Sequence, residues 1–176
     1  MEPSNYQATE ELRDGSTIII RAIRPQDRER FEQASQQFIK SPFSVRLRFH
    51  GFKASLSERE AIQMTDVDFV NHVGLVATLG TEPERLIAAG RYIVSADCRA
   101  EVAFAVLGEF QGKGIGSLLL KHLATIGRAE GIREFEAEVM ADNRRMISVF
   151  ERSGFPIERS NEFGVDSMLL KIADQP

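Results

Sequence analysis

The stretch EFQGKGIGSLLLKHL, residues 109–123, places Gly112, Gly114 and Gly116 at alternating positions directly ahead of a leucine-rich run. Ile115, Leu119, Leu120, Leu123 and Ile126 share one stripe at helical spacing, so the glycines stand at the start of a buried helix. An apolar strand over residues 100–107 delivers the chain to them. Strand, bare turn and helix start together form an anion site. The first N–H groups of a helix lack internal partners, the helix dipole favours negative charge, and missing side chains let an oxyanion touch the backbone. Lys113 adds charge, Ser117 adds a hydroxyl, and phosphate or pyrophosphate is the expected anion. Neither Gly-x-x-x-x-Gly-Lys-Ser/Thr nor Gly-x-Gly-x-x-Gly occurs here, so the mononucleotide and dinucleotide loops do not apply. Glycines that only permit close helix packing are the other reading of the same letters.

Alternating elements extend outward from that loop. Thr17 to Ile23 reads as a β-branched strand, and Arg24-Pro25 leads into a helix with Phe31, Ala34 and Phe38 on one face. Ser57 and Glu60 form a capping box for a second helix. Strands over 72–79 and 86–94 flank the turn Thr81 to Glu84 and suggest an antiparallel hairpin. The leucine-rich helix stops near Gly131. In EFEAEVM, residues 134–140, Phe135, Ala137 and Val139 alternate with glutamates at the period of a strand. NRRMISVFERSGF is a helix ended by Gly154, and VDSMLLKI a last strand. The expected fold is mixed α/β: a largely antiparallel sheet with helices on both faces, in one domain over 1–176 whose core spans about 17–172.

Composition narrows the function. A net charge of −4 argues against a sequence-independent nucleic-acid binder, which needs a basic footprint. One cysteine, Cys98, excludes an internal disulfide framework and a thiolate-rich metal site. His50, His72 and His122 show no metal-ligand spacing, and His122 is expected to face solvent from its helix. With no apolar leader and no membrane-length run, the expectation is a cytoplasmic protein without a membrane partner. The arginines and lysines between Arg46 and Arg59 read as a solvated face or a docking surface.

QGKGIG, Gln111 to Gly116, matches Arg/Gln-x-x-Gly-x-Gly/Ala, and Asn143, Phe150, Gly154 and Phe155 match Asn-x-x-x-x-x-x-Phe/Tyr-x-x-x-Gly-Phe. On these motifs the chain resembles the GCN5-related N-acetyltransferases, the GNAT superfamily. Residues 41–79 are similar to the corresponding segment of bacterial Pat-type protein lysine acetyltransferases. The resemblance implies a twisted sheet that splays after the fourth strand, and acetyl-CoA as acyl donor with no metal. Its pantetheine would pair with the backbone of Phe104, Ala105 and Val106. Its pyrophosphate would sit on Gln111, Gly112, Lys113, Gly114, Ile115, Gly116 and Ser117. The implied acceptor is a protein lysine, for example on an acyl-CoA synthetase. A small amine acceptor and a CoA-binding module without turnover remain the alternatives, and no oligomeric state is implied.

Direct transfer needs no enzyme nucleophile, but only about one free lysine in a thousand is deprotonated at neutral pH. A carboxylate must take the proton. Glu101, in the strand before the loop, matches the Pat-type general base, and burial would move its pKa toward a useful range. A strand glutamate that simply faces outward is the plainer reading. Asn143 matches an asparagine that contacts CoA or a catalytic water in the family, though it also suits a helix cap. Phe150 stands where many relatives carry a general-acid tyrosine, so the thiolate leaves unassisted or another group helps; Tyr92 is the candidate in reach.

Overall fold

A computed structural model describes residues 2–39, 65–81 and 83–173. The side chain of Phe38, His50, the helix expected from Ser57 and the basic stretch from Arg46 to Arg59 lie outside the described residues. The described strands are β1 (Gln7–Glu11), β2 (Thr17–Ala22), β3 (His72–Leu79), β4 (Arg85–Ala96), β5 (Arg99–Val106), β6 (Glu134–Met140), β7 (Ile157–Glu162) and β8 (Val165–Lys171). They form one sheet in the order β1-β2-β3-β4-β5-β6-β8-β7. Every neighbouring pair is antiparallel except β5–β6.

Helices cover both faces. Helix α1 (Arg28–Ile39) brings Phe31 and Ala34 onto Val76, Leu86 and Leu107. Helix α2 (Ile115–Ala129) lays its apolar stripe on the opposite face, where Leu119 and Leu123 lie over Gly90 and Phe104. The short α3 (Arg144–Glu151) follows β6, and its buried Met146, Ile147 and Phe150 join the α2-side core. Gly131 and Gly154, at φ +85° and +82°, take up the left-handed conformation that ends α2 and follows α3.

The fold matches the expected class, with two strands added. Strand β1 buries none of its residues and β7 exposes all but its first, so neither carries an apolar period to read. Both are edges. With β1 counted, the strand that precedes the splay is the fifth rather than the fourth. Strand β1 also corrects His122: the residue is 6% exposed, its Nε2 lies 3.0 Å from Glu10 Oε1, and its Nδ1 bonds the Tyr6 hydroxyl. The edge strand covers a helix side that the sequence left to solvent.

A buried ion network ties β2, the turn before α1 and the β3–β4 turn together. The Arg21 guanidinium is 2% exposed and spends all five of its N–H donors. They go to Asp27 Oδ1 and Oδ2, both at 2.8 Å, to Glu84 at 3.1 and 2.7 Å, and to the Ala22 carbonyl at 3.0 Å.

Candidate active site

The parallel ladder between β5 and β6 runs only from Arg99–Glu134 through Ala100–Phe135 to Glu101–Glu136. Beyond Glu101 the two strands part while β5 stays paired with β4 as far as Val106. This is the expected splay. Its apex is at Glu101, and its mouth lies between Val106 and Met140.

The β4–β5 register decides which backbone groups face the gap. Leu107 N–H donates to Ile87 C=O at 2.9 Å, which makes Ala88–Val106 a non-hydrogen-bonded pair of the antiparallel ladder. Phe104 and Val106 therefore turn their N–H and C=O toward the splay, whereas Ala105 spends its own on β4. The Val106 carbonyl accepts from Gln111 Nε2 at 3.1 Å, and Gln111 Oε1 accepts from Arg145 Nη1 at 3.1 Å. The motif glutamine thus links the end of β5 to the start of α3 across the mouth.

Each loop glycine has its own reason. Gly112 and Gly114 adopt φ of +79° and +95°, a region costly for any residue with a Cβ. A Cβ on Gly112 would meet nothing within 4 Å, so its surface is open to a ligand. A Cβ on Gly116 would lie 3.4 Å from Val149 Cγ2, so that glycine serves the approach of α2 to α3. Among the described residues, no backbone carbonyl accepts from the N–H groups of Gly112 to Ser117, and no side chain caps α2. Ile115 buries its side chain in the core, while Ser117 is exposed.

Cations surround that helix start. Lys113 Nζ pairs with Asp14 Oδ2 at 2.7 Å, and this bond holds the Asp14 carboxyl well below the usual carboxylate range. A cleft of about 360 Å³ is lined by Lys113, Gly114 and Ser117 together with Arg13, Lys121 and Arg152. The side chains of the last three have no hydrogen bond or ion pair among the described residues. They come from the β1–β2 turn, the middle of α2 and the segment after α3, so no local motif announces them. Open glycines, unclaimed N–H donors and converging cations suit the phosphates of acetyl-CoA, and the edge of β5 suits its amide arm. Gly114→Val is expected to weaken CoA binding by about tenfold or more, since it opposes the positive φ and crowds the donors. Calorimetry on the folded variant measures this, and unchanged affinity would remove the loop from the binding site.

Glu101 faces away from α2. On β5 it alternates with Val102 and Phe104, whose side chains join the α2-side core, and it lines a separate cleft of about 440 Å³ with Arg99, Glu136, Glu138, Glu158 and Arg159. In register, Ile93 flanks it on β4 and Glu136 on β6. Arg91 and His72 share that face. His72 holds a buried Nε2 with no partner, and burial lowers its pKa to about 4, so the ring is neutral at pH 7. Neither residue was legible as part of a site, because only the strand register brings them beside Glu101.

The remaining candidates separate cleanly. Asn143 is 4% exposed, and its Oδ1 accepts from Met146 N–H at 3.2 Å as an N-cap, at the end of the sheet where the splay opens. Tyr92 is fully buried on the α2 face beside Phe135, with its hydroxyl unpartnered, so it stands apart from Glu101. Phe150 is fully buried against Phe104, ring centroids 5.6 Å apart. Cys98 is exposed in the β4–β5 turn. Among the described residues no group of His, Cys, Asp or Glu is arranged to hold a metal ion, and no helix is long and apolar enough to cross a membrane.

Known proteins are similar to this chain in sequence and fold. The Acetyltransferase (GNAT) family matches residues 45–155. An acetyltransferase of Pseudomonas aeruginosa is 30% identical over 154 residues, covering 85% of this chain and 81% of its own. The acetyltransferase Pat of Mycolicibacterium smegmatis is 29% identical over 148 residues, 82% of this chain but 43% of its own length. The GNAT domain of S. lividans PAT superposes with a TM-score of 0.81 at 37% identity, covering 94% of this chain and 96% of that one. A cAMP-binding acyltransferase from Mycobacterium smegmatis gives 0.65 at 25% identity, over 94% of this chain and 47% of that one. With the splayed sheet, the glycine loop and the family match in agreement, the chain belongs to the GNAT family of acetyltransferases.

Proposed function

We propose that this acetyltransferase transfers the acetyl group of acetyl-CoA to the ε-amine of a protein lysine, with Glu101 as general base. The observation that carries the reading is the position of Glu101 at the apex of the splay, where β5 and β6 part and a cleft opens on the face away from α2. Acetyl-CoA supplies an activated acyl group. Gly112, Lys113, Gly114, Gln111 and the first turn of α2 through Ile115, Gly116 and Ser117 hold its phosphate end, while the Phe104 and Val106 backbone lines its path toward the apex. Asn143 fixes the start of α3 at the mouth. Glu101 removes the amine proton, and the amine then attacks the thioester carbon as the C–S bond breaks. With Phe150 buried and lacking a hydroxyl, the thiolate departs unassisted, as suits a group whose thiol has a pKa of about 8.5.

A protein acceptor is favoured by the Pat relatives and by the lining of the Glu101 cleft, where Glu101, Glu136, Glu138 and Glu158 suit a cationic side chain. A reducing cytoplasm fits such an acceptor. Incubation with labelled acetyl-CoA and acyl-CoA synthetases, beside a panel of small amines, tests the assignment. Label on mapped lysines supports it. Label confined to small amines overturns the protein acceptor, and no CoA thiol release with any acceptor overturns turnover itself.

A further inference from the structure

Among the described residues the large apolar side chains left exposed are Val70, Ile93 and Phe163. A single exposed isoleucine is ordinary, and it is the place of Ile93 that gives it a use. It is 38% exposed on β4, an interior strand of the sheet. Its register partners are His72 on β3 and Glu101 on β5, and Glu136 on β6 continues the row. Directly opposed residues share a face, so these four project side by side on the face away from α2. Carboxylates stand on one side of Ile93 and a neutral ring on the other.

A lysine side chain is an amine on four methylenes, and it is best held by a carboxylate at its tip and apolar surface along its stem. Neighbouring strands stand about 4.8 Å apart, close to the length of that stem. With the amine at Glu101, a stem lying across β6 meets the Glu136 carboxylate, whereas one lying across β4 meets Ile93. Leu169 of β8, the next aliphatic residue beyond Glu136, is in register with it and so two strands from Glu101. The loop ahead of β3 fixes this end of the sheet. Asp68 Oδ1 accepts from the N–H groups of Val70, Asn71 and His72 at 2.9, 2.8 and 2.8 Å, and Asn71 C=O accepts from Val94 N–H at 2.8 Å. Val70, 68% exposed, is a second open apolar residue at that end.

We propose that Ile93 is a specificity-determining residue for acetyl transfer, its exposed aliphatic side chain receiving the methylene stem of the acceptor lysine whose amine meets Glu101. This rests on Glu101 being the general base and on a protein lysine being the acceptor. The test uses a synthetic peptide spanning the lysine labelled in an acyl-CoA synthetase. Ile93→Ser is expected to raise KM for this peptide about tenfold with kcat nearly unchanged, since contact with the stem is made equally in ground and transition states. Ile93→Leu restores KM, and acetyl-CoA affinity stays unchanged in both. A wild-type KM in folded Ile93→Ser, or a raised KM that Ile93→Leu leaves raised, overturns the proposal. If Ile93→Ser does not fold, Ile93→Thr, which keeps the β-branch, replaces it with the same two outcomes. Two controls separate this proposal from the reading beneath it. Near-wild-type turnover of Glu101→Gln, or a wild-type enzyme that labels no lysine of the synthetase, overturns that reading and the Ile93 subsite with it. A slow Glu101→Gln beside an unmoved KM in Ile93→Ser overturns the subsite alone.

Discussion

Glu101→Gln is expected to reduce turnover at neutral pH by about 10²- to 10⁴-fold, the usual cost of a lost general base, with CoA affinity nearly unchanged. Glutamine keeps the length and hydrogen-bonding reach of the side chain but not its basicity. The phosphate loop is built from other elements, at the mouth of the splay rather than its apex, so binding and chemistry separate in this variant. The deficit should shrink as pH approaches the lysine pKa of about 10.4, because free amine then forms without help. Steady-state rates with a protein or peptide acceptor across that range measure the effect. Near-wild-type turnover at pH 7 would make Glu101 a structural strand residue.

Asp27→Ala is expected to destabilise the protein by about 3–5 kcal/mol, since it removes the fully buried one of the two carboxylates that neutralise the Arg21 guanidinium and leaves two of its N–H donors unmatched. Asp27 is fully buried and accepts from Arg21, from Arg24 N–H at 2.9 Å and from Arg30 at 3.0 Å. Burial alone would raise its pKa, yet the Arg21 and Arg24 hydrogen bonds outweigh burial and hold it below the ordinary value. Because the folded-state pKa is depressed, this stabilisation is fully present above the unfolded pKa of about 3.9 and is lost as pH falls through the folded one. Denaturant unfolding at pH 7 and at pH 3 measures both: the gap between wild type and variant should be large at the first and smaller at the second. An equal gap at both would assign the loss to packing.

The parts legible in the sequence are those with local causes. The glycine loop, the α2 stripe and the glutamate alternation of β6 each follow from a few adjacent residues, and the splay followed from family resemblance to that same loop. Strands β1 and β7 escaped because an edge strand with polar residues on both faces has no period. His122 was misread for the same reason, since its cover is β1. Gly116 fitted a ligand-approach pattern, yet Val149 of α3 is what stands against it. Arg91, His72 and the cations Arg13, Lys121 and Arg152 acquire meaning only through register and helix placement, which depend on contacts far apart in the chain.

The brevity of the β5–β6 ladder bears on how the molecule yields. Hydrogen-bonded continuity across the sheet depends on the stretch from Arg99–Glu134 to Glu101–Glu136, while α2 bridges the same two slabs through apolar packing, with Phe135 3.2 Å from where a Cβ on Gly127 would lie. Packing of that kind tolerates small angular changes better than a ladder of directed bonds. The slab of β1 to β5 and the slab of β6, β8 and β7 can therefore rock about α2 at a cost well below global unfolding. A ligand lying along the gap would be gripped by both slabs, and by binding the closed arrangement it would draw two semi-independent units into a single cooperative one.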